Sequence, residues 1–592
     1  MYEKLMSVDS PKSQQAIATA IENGIRSGLA SLDSGNMRMI YPEAVRCLLH
    51  YIKFFDRTEG STIVFDLRGT CIMALCETIL GLPFEGYQAL LRWATTIYPG
   101  NLYARMLVRP LLAQLNRSHG FKIDADGVEH APLSIGSIPV IIAVLRWLND
   151  ASTRAGEIAL PEDFYCKAAD TIPIEALFDD LTRYKKATQT QRSSHFFLSA
   201  NSFLLSPGTK RNLLQVENQV EMFKVATKDV TFDAATQQYS FDPFWVLEID
   251  REHLVEQTLE TIKVTKASEL RKKLRVVFKG EEGIDAGGVT KEFFQLLSED
   301  LFDVSSSLWS SRYGDLITWF NSDCTWDDEG YTLVGVLVGL ALYNGVLIDV
   351  HFPPAVYRKI LGLSLGLEDM VDDEVRKGLQ QLLDYEGDDI EDVFCLNFEV
   401  GGTDLGQEQK VELKPGGTDI SVTSDNRDEY VVLYVKWLLA DSIQPQWDAF
   451  EKGLMQIVES SSLDMLRPEE LELLVVGTPE LDFSALEHNT AYEGGFDKDS
   501  EVVCSFWRFV KDASRETQIK LLKFATGSKM APIGGLGELP LTIQRAGPDS
   551  PQLPTSHTCF NTLLLPDYGS DYDKLSTRLG RAILECEGFG LE

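Results

Sequence analysis

Leu553-Pro554-Thr555-Ser556-His557-Thr558-Cys559-Phe560-Asn561-Thr562-Leu563-Leu564-Leu565-Pro566 is the stretch on which the reading of this chain turns. Two prolines bracket it, and its centre reads as a short extended segment rather than a helix. Side chains alternate along an extended chain, so His557, Cys559 and Asn561 are expected on one face, with Thr558 and Phe560 on the other. The thiol then has polar company. A structural cysteine is normally a small hydrophobe among apolar neighbours, whereas a reactive one wants partial exposure and groups that orient or ionise it. Taken alone, the run fits a reactive thiol and an inert one beside a satisfied histidine equally well.

At 592 residues the chain is too long for one ordinary core, and roughly two to four domains are expected. Lys+Arg 55 against Asp+Glu 89 leaves a formal charge of -34, which opposes binding to phosphate backbones and anionic membranes. Neither nucleic acid nor a membrane is therefore an expected partner. The nine cysteines are scattered singly, without the paired spacings of a zinc site or a disulfide framework. No metal and no cofactor is expected, and a reducing compartment fits. Met1-Tyr2-Glu3-Lys4 continues polar, so no secretory signal is expected. The most apolar window, Leu333 to Ile348, includes Asn344 and glycines. It falls short of the ~18 uncharged residues of a membrane span and predicts a buried helix.

Outward from the opening run, the chain reads as α+β. Residues 1 to about 170 show helical apolar patterns, one starting at Pro139 with Val140, Ile141, Val144, Leu145 and Leu148 on one stripe. The run between Asn149 and Asp163 predicts a loop. Val276-Val277-Phe278 predicts a strand, followed by a glycine-rich bend and a helix that Thr290 can cap. Glu281, Glu282 and Asp285 around that bend argue against a phosphate cradle. His351, beside aromatic residues and a proline, reads as a structural histidine. Val375 to Gly387 predicts an amphipathic helix, Phe398 to Asp419 a β-hairpin, and Arg467 to Leu474 a helix stopped near Gly477-Thr478-Pro479. Beyond it, helices are expected over Ser500–Phe509 and Glu516–Ala525, and strands near Thr542 and Cys559. A last helix, capped by Ser570-x-x-Asp573, is expected to carry Leu575, Leu579, Ala582, Ile583 and Cys586 on one face.

The Leu-Pro-x-x-His-Thr-Cys-Phe-Asn run, the following Leu565-Pro566-x-Tyr568 and the terminal Gly588-Phe589-Gly590 resemble the active-site end of HECT-type ubiquitin ligases. The Val276–Phe294, Leu333–Pro353 and Val375–Gly387 blocks agree with that family in order, and the resemblance is nearest to its Angelman-type subgroup. It implies a helical substrate-binding or scaffold region over residues 1–195 and a bilobal HECT domain after it. The larger, mostly helical lobe would span 196–477, a hinge 478–480, and a smaller α/β lobe 481–592. It also implies a ubiquitin-protein transferase that takes ubiquitin from a conjugating enzyme onto Cys559 as a thioester and passes it to a substrate lysine. His557 would assist Cys559, and Phe589 would position the lobes. Leu379, Leu383, Tyr385, Trp447 and Phe450 would line the groove for the conjugating enzyme. The expected partners are that enzyme, ubiquitin and substrate proteins, in the cytosol or nucleus. A deubiquitinase-like cysteine hydrolase using Cys559 and His557, and a non-catalytic scaffold, are the rival readings.

Thioester exchange explains why a thiol is wanted here. It costs little free energy and keeps the acyl group activated, and an attacking thiol works best with a pKa near ambient pH. No Lys or Arg lies beside Cys559 in the sequence, so a deeply depressed thiol pKa is not expected.

Overall fold

The computed structural model describes residues 76–585 except 78, 83, 99, 118–122, 125–126, 129–136, 229–230, 234–237, 241–242, 282–287, 304–305, 325–327 and 405–406. The chain divides into two compact units, Met1–Leu213 and Leu214–Glu592. Among the described residues, no helix is long and apolar enough to cross a membrane.

The described part of the first unit is mostly helical, with one short antiparallel pair between Ile123–Asp124 and Gly127–Val128. Its helix α1 (Ser137–Arg154) carries Pro139 in the first turn, where a missing N–H costs nothing. Ile141, Val144, Leu145 and Leu148 are buried along it, and the Leu148 carbonyl accepts from the Tyr103 hydroxyl at 2.7 Å. Of the loop expected between Asn149 and Asp163, residues 149–154 instead end this helix, and the turn follows from Ala155. Ala151 and Ser152 are buried, and the Ser152 hydroxyl accepts from the Ala159 N–H at 2.8 Å. Packing here overrides the turn propensity of Asn, Asp and Ser. Helix α2 (Pro207–Lys228) had no forecast from the apolar pattern.

The second unit holds two parallel strands, β1 (Phe244–Ile249) and β2 (Lys273–Phe278), paired from Phe244↔Lys273 to Ile249↔Phe278. Helix α3 (Gly288–Leu301) follows. Thr290 is buried inside its first turn rather than capping it, because the helix starts earlier than expected. Helix α4 (Glu329–Asn344) is buried on every side, as an all-round apolar helix must be. It ends at Gly345 in the left-handed conformation, φ 68. Beyond it lie α5 (Asp373–Asp384), the hairpin β3 (Glu399–Asp404) with β4 (Gln407–Glu412), α6 (Arg427–Leu439), α7 (Gln444–Met455) and α8 (Pro468–Val475).

Helices α4 and α7 meet backbone to backbone. A Cβ at Gly335 would stand 2.0 Å from the Phe450 carbonyl oxygen, and one at Gly453 2.1 Å from that of Thr332. Only glycine permits so close an approach.

The C-terminal segment has its own hydrophobic cluster, drawn from Phe483 through Ile583. Its sheet runs β7-β8-β6-β5, where β5 is Ala491–Glu493, β6 Thr542–Arg545, β7 Thr555–His557 and β8 Thr562–Leu565. The β6 strand is parallel to β5 and β8, while β7 and β8 are antiparallel. Helices α9 (Glu501–Asp512), α10 (Arg515–Thr526) and α11 (Tyr572–Glu585) surround it. Leu575, Leu579, Ala582 and Ile583 of α11 are buried as expected, and Cys586 lies outside the described residues. The cap of α11 differs from the forecast: the Asp571 carboxylate accepts from the Lys574 N–H at 3.0 Å, one residue later than Ser570.

Candidate active site

Cys559 lies in a turn, not in an extended strand. The strands β7 and β8 pair Thr555↔Leu564, Ser556↔Leu563 and His557↔Thr562, which leaves Thr558-Cys559-Phe560-Asn561 as a four-residue hairpin loop. Thr558–Phe560 form one 3₁₀ turn, and Asn561 closes it in the left-handed region at φ 47, ψ 45. Loops of this length are commonly built around a helical turn, and asparagine tolerates left-handed φ better than most residues. The expected alternation of His557, Cys559 and Asn561 on one face is thereby corrected, since a turn breaks the two-residue period. The expectation of a short extended run holds on either side of it.

The loop is exposed on a fixed base. His557 is exposed and Phe560 is 61% exposed, whereas Leu563 and Leu565 are buried in the C-terminal cluster. The Ser556 hydroxyl donates to the Phe524 carbonyl at 2.6 Å, tying β7 to α10. Tyr568 donates to the Gln552 carbonyl, which closes the segment before β7 against the one after β8. Phe589, the third residue expected to act in catalysis, lies outside the described residues.

One residue that reaches the thiol loop was missed. The Lys291 ammonium, from the first turn of α3, donates to the Thr558 carbonyl at 3.1 Å, to Asn561 Oδ1 at 3.1 Å and to the Thr526 carbonyl at 3.5 Å. A cation does reach the thiol loop, supplied by the fold across 267 residues of chain. The available signal was a lysine in a helical first turn that holds no acidic residue, where the macrodipole disfavours positive charge.

The expected docking residues separate into two groups. Leu379, Leu383 and Tyr385 belong to α5 and its C-terminal cap; the other end of the helix is capped by Asp372, whose carboxylate accepts from the Glu374 and Val375 N–H groups. Leu379 is 6% exposed, while Leu383 and Tyr385 are half-buried. The Tyr385 hydroxyl donates to Asp389 Oδ1 at 2.7 Å, and that hydrogen bond holds the phenol above its ordinary pKa. Its ring meets Phe394 edge-on at 5.4 Å. Arg427, from the start of α6, donates to the Leu382 carbonyl at 3.3 Å and to that of Tyr385.

Trp447 and Phe450 are elsewhere, and their assignment to the groove is corrected. Phe450 is 0% and Trp447 5% exposed. Both rings pack on Phe320, at 5.6 and 5.8 Å, and Phe450 also meets Phe352 at 6.0 Å. The close approach of α7 to α4 drives them into this aromatic core. The element beside α5 is α6, which turns Val432 outward at 66% exposure. Trp447, Phe450 and Leu454 with Ala449 and Gly453 already spell a buried helical stripe with small residues for close packing.

Comparison with known proteins follows from the same end of the chain. Residues 295–592 match the model of the HECT-domain (ubiquitin-transferase) family. Mouse probable E3 ubiquitin-protein ligase HECTD2 (Mus musculus) is 36% identical over 476 residues, covering 77% of this chain and 60% of that protein. Human probable E3 ubiquitin-protein ligase HERC4 (Homo sapiens) is 29% identical, over 100% of this chain and 56% of its own length. Probable E3 ubiquitin-protein ligase HUL4 of Eremothecium gossypii is 33% identical, over 70% of this chain and 52% of its own. The chain thus spans 60% or less of the length of these curated relatives.

Proposed function

Because the chain belongs to the HECT-domain (ubiquitin-transferase) family, we propose that it is a ubiquitin ligase whose acyl carrier is Cys559. The observation that carries this reading is the hairpin turn Thr558–Asn561, which follows the exposed His557, carries the exposed Phe560 and is anchored through the buried Leu563 and Leu565 of β8. A turn of that kind offers a small loop to a protein-sized acyl donor.

In the first step the Cys559 thiolate attacks the thioester carbonyl joining ubiquitin to the conjugating enzyme. The new C–S bond forms as the old one breaks, and the conjugating enzyme's cysteine departs as a thiolate that takes up a proton. In the second step the amine of a substrate lysine attacks. An amide forms, the amine loses its proton to solvent or a nearby base, and the Cys559 thiolate leaves. Backbone N–H groups of the turn are suited to hold the oxyanion in both steps, and we assign His557 to orienting Cys559 or accepting its proton. Phe589 retains its proposed role in lobe positioning.

We assign the docking of the conjugating enzyme to the surface formed by Leu383 and Tyr385 with Leu379 beneath, flanked by α6. We take 1–195 as the substrate-binding or scaffold region, 196–477 as the larger lobe, 478–480 as the hinge and 481–592 as the smaller lobe. Gly477 at φ 88 and the separate cluster from Phe483 to Ile583 support a joint between two bodies. Nearness to the Angelman-type subgroup rests on the Leu553–Pro566 and Gly588–Gly590 matches. The cysteine usage and acidic charge support a cytosolic or nuclear setting.

Incubation with ubiquitin-charged conjugating enzyme, followed by non-reducing gels, tests this reading. The expected result is a ubiquitin adduct that reductant removes, that Cys559→Ala abolishes, and that Cys559→Ser converts to a reductant-resistant ester. A hydrolase would release free ubiquitin and a scaffold would form no adduct, and either outcome would refute the proposal.

A further inference from the structure

Lys291 is the fourth residue of α3, a place where the positive end of the helix dipole opposes its charge. Local rules are broken most often where a site requires it. An ammonium has three N–H donors, and acceptors at 3.1, 3.1 and 3.5 Å from Lys291 belong to the C-terminal segment. Two of them, the Thr558 carbonyl and Asn561 Oδ1, lie in the turn that contains Cys559. The Thr558 carbonyl is half of the peptide group whose N–H is that of Cys559.

A cation on this carbonyl polarises the peptide and makes its N–H a stronger donor. A nearby ammonium also favours the thiolate form of a cysteine over the thiol. The neighbouring charges are engaged elsewhere: Glu292 accepts from Arg251 at 2.8 Å, and Lys529 pairs with Asp349 at 3.3 Å.

We propose that Lys291 is a positioning residue for the thiol site, fixing the turn that carries Cys559 and lending it positive charge from α3. The inference rests on the ligase reading only in taking Cys559 as the reacting thiol. It makes thiol reactivity depend on contact between α3 and the C-terminal segment, so that the cysteine is activated when the two are together and relaxes when they part.

The test compares the full-length chain with Lys291→Met and Lys291→Arg. The rate of Cys559 alkylation by iodoacetamide at neutral pH is followed by peptide mass spectrometry, which separates Cys559 from the other cysteines, and thermal melting reports the fold. Lys291→Met is expected to slow Cys559 labelling roughly threefold to tenfold, since one pKa unit changes the thiolate fraction about tenfold. Lys291→Arg, which keeps the charge, should restore most of the rate. A lysine that merely held the turn shut would, when removed, leave labelling unchanged or faster, and either result overturns the proposal. If Lys291→Met melts early, Lys291→Gln keeps a donor without the charge and must show the same slowing. A chain that gives this labelling pattern but never forms a ubiquitin thioester refutes the ligase reading alone. One that forms the thioester while the Met variant labels at the wild-type rate refutes the Lys291 inference alone.

Discussion

The turn Thr558–Asn561 and the helix α7 both carry large aromatic side chains with polar neighbours in sequence, and they serve opposite ends. Phe560 stands 61% exposed at the tip of a hairpin, and Phe450 is wholly buried against Phe320 and Phe352. The turn strains its backbone, holding a non-glycine residue at φ 47. The helix breaks no local rule and instead uses glycine to bring two backbones together. Aromatic content is therefore common to core and site. What sets the turn apart is that its left-handed Asn561 and its Thr558 carbonyl both accept from Lys291, a cation at a helix N-terminus.

Substitutions at three positions sharpen that contrast. Phe450→Ala should have the largest effect, a loss of about 3–5 kcal/mol in denaturant unfolding, because a fully buried ring leaves a cavity behind. If it weakened conjugating-enzyme binding at unchanged stability, the separation of α7 from the docking surface would fail. Asn561→Val places a β-branched residue in the left-handed region and should cost about 1–2 kcal/mol. It also removes an acceptor of Lys291, so thioester formation should slow by more than the stability loss explains. Asn561→Gly, which adopts the same φ freely, should recover the stability but not the rate. Tyr385→Ala should have the smallest effect on the fold, leaving the melting temperature nearly unchanged. It should weaken the conjugating enzyme by about 1 kcal/mol, seen as a several-fold rise in the concentration needed for half-maximal loading.

The helices of the C-terminal segment, the buried α4, the β3–β4 hairpin and the strand β2 were legible because periodicity and glycine or proline stops mark them locally. Helix α1 ran into the first residues of its expected loop because Ala151 and Ser152 are buried by tertiary packing that no local pattern records. Cys559 and His557 stood out through their immediate neighbours. Trp447 and Phe450 could not be told from interface anchors by residue type, since their fate depends on α4 lying against α7. Lys291 was invisible as a site residue for the same reason: its partners Thr526, Thr558 and Asn561 lie far along the chain.

The most direct measurement is the intact mass of the chain, under denaturing and non-reducing conditions, after mixing with ubiquitin-charged conjugating enzyme. The account predicts a gain of one ubiquitin that reductant reverses and that maps to Cys559. No gain, or a gain that survives reductant or maps to another cysteine, would contradict it.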